Sequence, residues 1–317
     1  MDHIQIMKIS KAKFMQEEST KPSIIIFGGT GFFGKSIMDS FIKSKLDKYG
    51  INYLYILSRS SKNFIKLYPE FVNPRIEYID GNISNVDFLP NADIIIHAAT
   101  STNQMDYLEN SIREKENTEK GVSNYIKLAK KFHKNSKIVY CSSGAVYGKQ
   151  PSNVSNIKED FPFQDLDEMP VLKRDYCLSK RNAEKLIINS GAQGLNVSIA
   201  RCFAFYGDYL PKEGHFAYGN FLNQAIQGKD IVIKAKNQVF RSYMHSDDLV
   251  KSLIKIAKQA SPECPIYNVG SDKEISLFDL ANKLASLYNV NVIKHQNIDF
   301  NTIDRYVPNT DKLKSLA

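Results

Sequence analysis

The sequence predicts an α/β protein: a doubly wound parallel sheet with helices on both faces, followed by a smaller C-terminal lobe. Three observations predict it. Short β-rich runs at 23–27, 53–57, 75–79, 93–97 and 137–141 alternate with amphipathic stretches, the longest at 104–133. The runs are nearly all apolar, as in Ile24-Ile25-Ile26-Phe27 and Ile94-Ile95-Ile96, which is what strands covered on both faces require. A glycine-rich turn joins the first run to the stretch at 35–42, which reads as a helix.

The remaining elements follow in order. A helix at 176–189 and a strand at 196–201 extend the alternation, after a loop at 148–174 rich in Pro, Asp, Glu and Asn. Elements then shorten, with a strand expected at 231–235 and helices near 247–258 and 277–288. There is no internal repeat and no Ser/Gly linker, so the last third is expected to pack directly on the sheet. The expected organisation is an N-terminal extension at 1–22, a dinucleotide-binding domain at 23–203, and a lobe at 204–317 from which about 239–260 returns to the first domain.

Composition narrows the function classes. The chain has 317 residues, 43% apolar and 24% charged, which excludes a disordered or fibrous protein. No apolar run approaches the ~20 residues of a membrane helix. The first twenty residues carry Lys8, Lys11, Lys13, Glu17 and Glu18 without a continuous apolar core, so they do not read as a secretory leader. Cys141, Cys177, Cys202 and Cys264 are scattered without a C-x-x-C pair, so neither a disulfide framework nor a metal site is expected, and a cytoplasmic setting is. The net charge of +8 raises a nucleic-acid reading, but its densest run, Lys127 to Lys137, reads as a solvated helix face. A mild positive excess also suits a small anionic substrate.

The turn Gly28-Gly29-Thr30-Gly31-Phe32-Phe33-Gly34 has the pattern G-x-x-G-x-x-G between a strand and a helix. Gly28 permits the tight turn, Gly31 lets backbone approach a pyrophosphate, and Gly34 lets the helix sit close to the sheet. The helix N-terminus then offers unpaired N–H groups to phosphates. Gly28, Thr30, Gly31, Phe32, Phe33 and Gly34 are therefore candidate dinucleotide-binding residues; the competing reading is a tight turn with no ligand. The second strand ends in Ser58-Arg59, where an acidic residue would hold the ribose hydroxyls of NAD and an Arg accommodates a 2′-phosphate. Ser58 and Arg59 thus favour NADP(H) over NAD(H), unless Arg59 is merely solvated or stacks on an adenine.

Tyr176-Cys177-Leu178-Ser179-Lys180 is Y-x-x-x-K, which on a helix puts a phenol and an ammonium on one face. A neighbouring ammonium and an oxidised nicotinamide would favour the phenolate, so Tyr176 could exchange a proton with a sugar hydroxyl. Ser143, in Ser142-Ser143-Gly144-Ala145-Val146-Tyr147-Gly148 after the fifth run, would orient the substrate oxygen at the carboxyl edge of the sheet. Turn chemistry is the competing reading for both serines.

Together with His97-Ala98-Ala99 and Arg241-Ser242-Tyr243-Met244-His245-Ser246-Asp247-Asp248-Leu249, these motifs resemble the extended short-chain dehydrogenase/reductase family, and within it the NAD(P)-dependent nucleotide-sugar epimerases and dehydratases. The resemblance covers about residues 23–288 and implies a Rossmann-type sheet with a C-terminal substrate-binding lobe. It implies that Ser143, Tyr176 and Lys180 are catalytic, with Lys180 also holding the nicotinamide ribose. Asn82 and Ile83 would contact adenine, with Asn82 replacing the usual Asp, and Ala98, Ala99 and Thr100 would pass beneath the cofactor. Asn220 and Arg241 would grip a nucleotide-diphosphate sugar, unless Arg241 is an ion-pair partner of Asp247 or Asp248. Helices 104–133 and 176–189 correspond to the family's dimer interface, so a homodimer is expected.

The departures from the family discriminate among reactions. The related 4,6-dehydratases carry an Asp-Glu pair where this chain has Gly144 and Ala145, and the decarboxylases keep a Glu at the second position. Both reactions are disfavoured, because they need acid–base groups that Gly and Ala lack. Ala204 stands where many relatives place an Asn. The leading expectation is a 4-ketoreductase of a 4-keto-6-deoxy sugar nucleotide, since Arg59 suits a dissociable NADPH. The alternative is a C4 epimerase with retained NAD. A non-catalytic NADP(H)-binding regulator would have no need of Tyr176 and Lys180. Nucleic acid and membrane are not expected as partners.

Overall fold

The structure is a computed structural model that describes residues 22–100, 104–167, 169–212, 214, 216–294 and 299–316. The expected N-terminal extension at 1–22 lies outside the described residues except for Pro22.

Seven parallel strands form the central sheet: β1 (Ser23–Phe27), β2 (Tyr53–Ser58), β3 (Ile76–Asp80), β4 (Ile94–His97), β5 (Lys137–Ser143), β6 (Asn196–Cys202) and β11 (Ile266–Val269). Their order is β11-β6-β5-β4-β1-β2-β3. The order reverses between β1 and β4, and in such sheets the crevice beyond the carboxyl ends at that point receives the ligand. Strand alternation sends Ile24 and Ile26 into one core and Ile25 and Phe27 into the other. The first core is closed by α1 (Phe32–Ile42) and α6 (Ser246–Lys258), through Ile37, Met38, Phe41, Leu249 and Leu253. The second is closed by α3 (Gln104–Phe132) and α4 (Val171–Gly191), through Val122, Tyr125, Ala183 and Ile187. The fold is thus the doubly wound Rossmann-type sheet expected from the alternation.

The short elements are α2 (Ser61–Leu67), β7 (Phe205–Tyr206), α5 (Ala217–Ile226), β8 (Ile231–Ile233), β9 (Asn237–Arg241), β10 (Met244–His245), β12 (Ile275–Ser276), α7 (Leu277–Tyr288), β13 (Val292–Lys294), β14 (Asp299–Tyr306) and α8 (Asp311–Lys314). Among them α5, α7 and β8 share a separate core of Phe221, Ile231, Ile233, Leu280 and Leu284. Three small sheets, β10-β7, β12-β9-β14 and β13-β8, complete the fold.

Several boundaries differ from the sequence expectation. Helix α4 begins at Val171, not at 176, because Pro170 occupies its N-cap and presets the entering backbone; Tyr176 therefore sits in the second turn. Strand β5 runs on to Ser143, carrying that residue to the strand's end. Strand β8 stops at Ile233, short of 235. Helix α3 is interrupted at Asn110 (φ −162°, ψ 85°), whose side-chain oxygen accepts from the Arg113 N–H at 2.8 Å and so caps the segment that follows.

Candidate functional site

The glycine turn has two kinds of glycine. Gly28 lies at φ 78°, and a Cβ there would stand 2.7 Å from the Ala98 carbonyl oxygen; at Gly34 it would stand 2.0 Å from the Gly29 carbonyl oxygen. These two seat the turn on β4 and the helix on the turn. At Gly31 a Cβ would meet only the Gly28 carbonyl oxygen, at 3.4 Å, so this exposed glycine is not demanded by packing inside the protein. Gly31 is also the N-cap of α1, and no side chain caps the helix. A bare cradle at a helix N-terminus, with its first-turn amides unpaired within the helix, fits a pyrophosphate. The amides of Phe32 and Phe33 face that position by sequence, while their rings pack elsewhere, Phe33 against Phe205 with centroids 5.4 Å apart.

At the end of β2, the Ser58 and Thr30 hydroxyls are 3.0 Å apart and Arg59 is exposed. Beyond β3, Asn82 forms a turn in which its side-chain oxygen accepts from the Ser84 N–H at 3.1 Å. Ile83 is buried in the second core, so only its backbone is available to an adenine. Asp80, the acidic residue of this segment, accepts from the Ser61 N–H at 2.7 Å and caps α2. Ala98, Ala99 and Thr100 follow β4 at the switch point, half-buried.

Lys180 is almost wholly buried, and its ammonium donates to Thr100 Oγ1 and to the Cys141 carbonyl oxygen, each at 2.9 Å. Burial lowers it to about 8. Its Nζ stands 5.9 Å from the centre of the Tyr176 ring, so the two share a face as the spacing requires. The expected lowering of Tyr176 is not present in the chain by itself. Burial pushes its phenol up to about 12, against the opposing effect of a hydrogen bond with Ser143. In the chain by itself the Lys180 ammonium faces Thr100 and Cys141, and a lowered phenol would need the further charge of an oxidised nicotinamide.

Ser143, at the end of β5, accepts from the Ala145 N–H at 3.2 Å. A Cβ at Gly144 would fall 2.6 Å from the Phe203 ring, so that aromatic side chain fills the space an acidic residue would take. A second phenol, Tyr306 on β14, places its hydroxyl 3.4 Å from Ser143 Oγ.

The two candidate substrate residues lie on the lobe. Asn220, on α5, donates to the Gly214 carbonyl oxygen at 2.7 Å. Arg241 is in an ion pair, though not with the partners expected. Asp304 on β14 grips it through two oxygens, at 3.2 and 2.9 Å, while Asp247 pairs with Lys45 and Asp248 with Lys251. The parallel β14–β9 register brings residues sixty apart together, which no local pattern signals. Sequence reasoning likewise missed Tyr306, 163 residues from Ser143. It also missed the buried pair of Arg201 and Glu184 (2.8 Å), whose Glu184 carboxylate accepts from the Ser142 hydroxyl at 2.6 Å and braces the end of β5.

Comparison with known proteins agrees with this arrangement. Residues 24–270 match the NAD dependent epimerase/dehydratase family. The chain is 25% identical over 272 residues to UDP-glucuronic acid decarboxylase 3 of Arabidopsis thaliana, covering 85% of this chain and 75% of that protein. It is 26% identical over 281 residues to a putative UDP-glucose 4-epimerase of Methanocaldococcus jannaschii, covering 86% and 82%. Among solved structures, the fold is shared with a UDP-N-acetylglucosamine 4-epimerase from Methanobrevibacter ruminantium M1 (TM-score 0.77, 19% identity, 94% and 92% covered). It is shared as well with a double mutant of a dTDP-glucose 4,6-dehydratase from Streptomyces venezuelae with NAD and DAU bound (TM-score 0.75, 20% identity, 92% and 90% covered). With its glycine cradle, its switch-point crevice and most of its length matched, the chain belongs to the NAD dependent epimerase/dehydratase family.

Proposed function

We propose that the chain reduces the C4 ketone of a nucleotide-diphosphate sugar, most simply a 4-keto-6-deoxy sugar nucleotide. One observation carries the reading: Tyr176 and Ser143 are hydrogen-bonded beside the Lys180 ammonium, with no carboxylate at Gly144 or Ala145. Such a set handles one proton at one oxygen. It has nothing to remove water across a neighbouring bond, where Phe203 replaces the acid.

A dinucleotide bound in the glycine cradle supplies hydride transfer at its nicotinamide. In this proposal Gly28, Thr30, Gly31, Phe32, Phe33 and Gly34 hold its pyrophosphate, Asn82 and Ile83 meet its adenine, and Ala98, Ala99 and Thr100 lie beneath it. Ser58 and Arg59 select NADP(H). Tyr176 gives its proton to the carbonyl oxygen, Ser143 orients that oxygen, and Lys180 favours the resulting phenolate and holds the ribose. Asn220 and Arg241 grip the substrate diphosphate, for which Arg241 must exchange Asp304 for phosphate oxygens. Residues 23–203 act as the dinucleotide-binding domain and 204–317 mainly as the substrate-binding lobe. Two copies associate in the cytoplasm through α3 and α4, which leave Ile112, Val171 and Ile188 exposed at 66%, 55% and 41%.

The second reading is a C4 epimerase with retained NAD, favoured by the epimerases among the similar proteins. Purified protein separates the two. Oxidation of added NADPH by a 4-keto-6-deoxy sugar nucleotide supports the reductase; co-purified NAD and isomer exchange without net NADPH consumption refute it. Arg59→Ala should weaken NADP binding and leave NAD binding unchanged, and equal effects on both would remove Arg59 from cofactor selection. Light scattering that returned a monomer would refute the dimer.

A further inference from the structure

Ser143 lies between two phenols that reach it from opposite ends of the chain. Tyr176 bonds it from α4, and Tyr306 approaches from β14 with its hydroxyl 3.4 Å from Ser143 Oγ and 3.4 Å from the Cys202 carbonyl oxygen. The Tyr306 ring is held in place by packing. It lies on Phe203 with centroids 4.6 Å apart and planes at 35°, and Phe203 in turn covers the α-carbon of Gly144. Its backbone is fixed by the β14–β9 ladder, where Tyr306 is paired with Arg241.

Hydrogen-bond capacity decides what this phenol does. A serine hydroxyl has one proton and two acceptor positions. The Ala145 N–H fills one acceptor position of Ser143. If Tyr306 donates into the other, rather than to the equally distant Cys202 carbonyl oxygen, the proton of Ser143 is left to point into the site, where Tyr176 is its partner until a substrate oxygen enters. Without that second donor the serine hydroxyl can turn away, and the bond to Tyr176 becomes one option among several.

We propose that Tyr306 is a positioning residue of this site: its hydroxyl donates to Ser143 rather than to the Cys202 carbonyl oxygen, and thereby turns the Ser143 proton toward Tyr176 in the cofactor complex and toward the substrate oxygen once that oxygen is bound. The inference rests on reading Tyr176 as the acid–base group. The chain Tyr306–Ser143–Tyr176 strengthens when Tyr176 gives up its proton, because a charged acceptor pulls on each bond in turn. The titratable groups around the pair are Arg241, itself neutralised by Asp304, the thiols of Cys177 and Cys202, and the Lys180 ammonium. None of these can replace the Tyr306 hydroxyl as donor to Ser143, because each is held by its own partners or is a weak donor.

The test is direct titration of Tyr176 by NMR in protein carrying ¹³C at the tyrosine Cζ. It is run with saturating NAD⁺ and, in a parallel sample, NADP⁺, and Tyr176→Phe assigns the resonance. Tyr306→Phe keeps the ring on Phe203 and removes only the hydroxyl, so the fold is retained. The expected result is that Tyr306→Phe raises the Tyr176 midpoint by about one unit, the size of one lost bond to a charged acceptor relayed through a hydroxyl. Ser143→Ala should raise it as well, and the double variant should raise it no further than Ser143→Ala alone. An unchanged midpoint in Tyr306→Phe, or additive shifts in the double variant, overturns the proposal while leaving Tyr176 as the acid–base group. If the Tyr176 resonance does not titrate below ~10 in the unsubstituted protein with either cofactor, the acid–base reading falls and the positioning role with it.

Discussion

Acid should destabilise this protein through His97, whose ring is buried at the end of β4, immediately before Ala98, Ala99 and Thr100 in the chain. Neither ring nitrogen has a hydrogen-bond partner among the described residues, and the ring is enclosed by Phe27, Tyr125 and Tyr140. Burial, aided by the nearby Lys180 charge, lowers its ionisation from 6.5 to about 3. The unfolded chain therefore binds a proton at His97 below pH ~6.5 while the folded chain does not until about pH 3. Stability is lost as pH falls through that window. The full shift is worth about 5 kcal/mol, and by pH ~4.5 the loss has reached about 3 kcal/mol. His97→Leu removes the titrating ring and should remove this part of the pH dependence. Urea unfolding at pH ~7 and ~4.5 measures it: the unsubstituted protein should lose about 3 kcal/mol more between the two than His97→Leu. The buried His133, lowered to about 4 by burial, titrates in both proteins and cancels in the comparison. Equal losses would refute the reasoning, because they would mean that folded His97 takes up its proton at an ordinary pH.

Other outcomes follow from the same structure. Glu184→Ala leaves the Arg201 guanidinium buried beside Tyr147 and should cost ~3–5 kcal/mol in chemical denaturation at neutral pH. Gly34→Ala drives a Cβ to 2.0 Å from the Gly29 carbonyl oxygen. It should lower stability by ~1–3 kcal/mol or more and weaken dinucleotide binding, both readable by thermal unfolding with and without cofactor. Gly31→Ala should spare the fold, since its Cβ meets nothing closer than 3.4 Å, and weaken only the binding. Tyr176→Phe should reduce turnover ~10²–10⁴-fold while cofactor titration is unchanged, whereas undiminished turnover would place the proton donor elsewhere.

Legibility in the sequence followed locality. The five runs from 23 to 141 coincide with central strands because a strand buried on both faces must be apolar along its length, which is a property of adjacent residues. The glycine turn was legible for the same reason, since Gly28 and Gly34 answer to clashes with neighbours in the chain or on the next strand. The pairing of Tyr176 with Lys180 was legible because four residues make one helical turn. The start of α4 was not, because Val171 to Asp175 carries no helical periodicity that distinguishes it from the loop before it.

The chain by itself therefore determined the sheet, the cradle and the phenol–ammonium face, all set by backbone geometry and short-range spacing. Only the tertiary structure decided the surroundings that set their chemistry. It put the Phe203 ring against Gly144, Asp304 on Arg241, Tyr306 beside Ser143, and buried Lys180 and Tyr176 deeply enough to move their ionisation in opposite directions. Those contacts join residues tens to hundreds of positions apart, and desolvation belongs to an enclosed volume, so no pattern along the chain encodes either one.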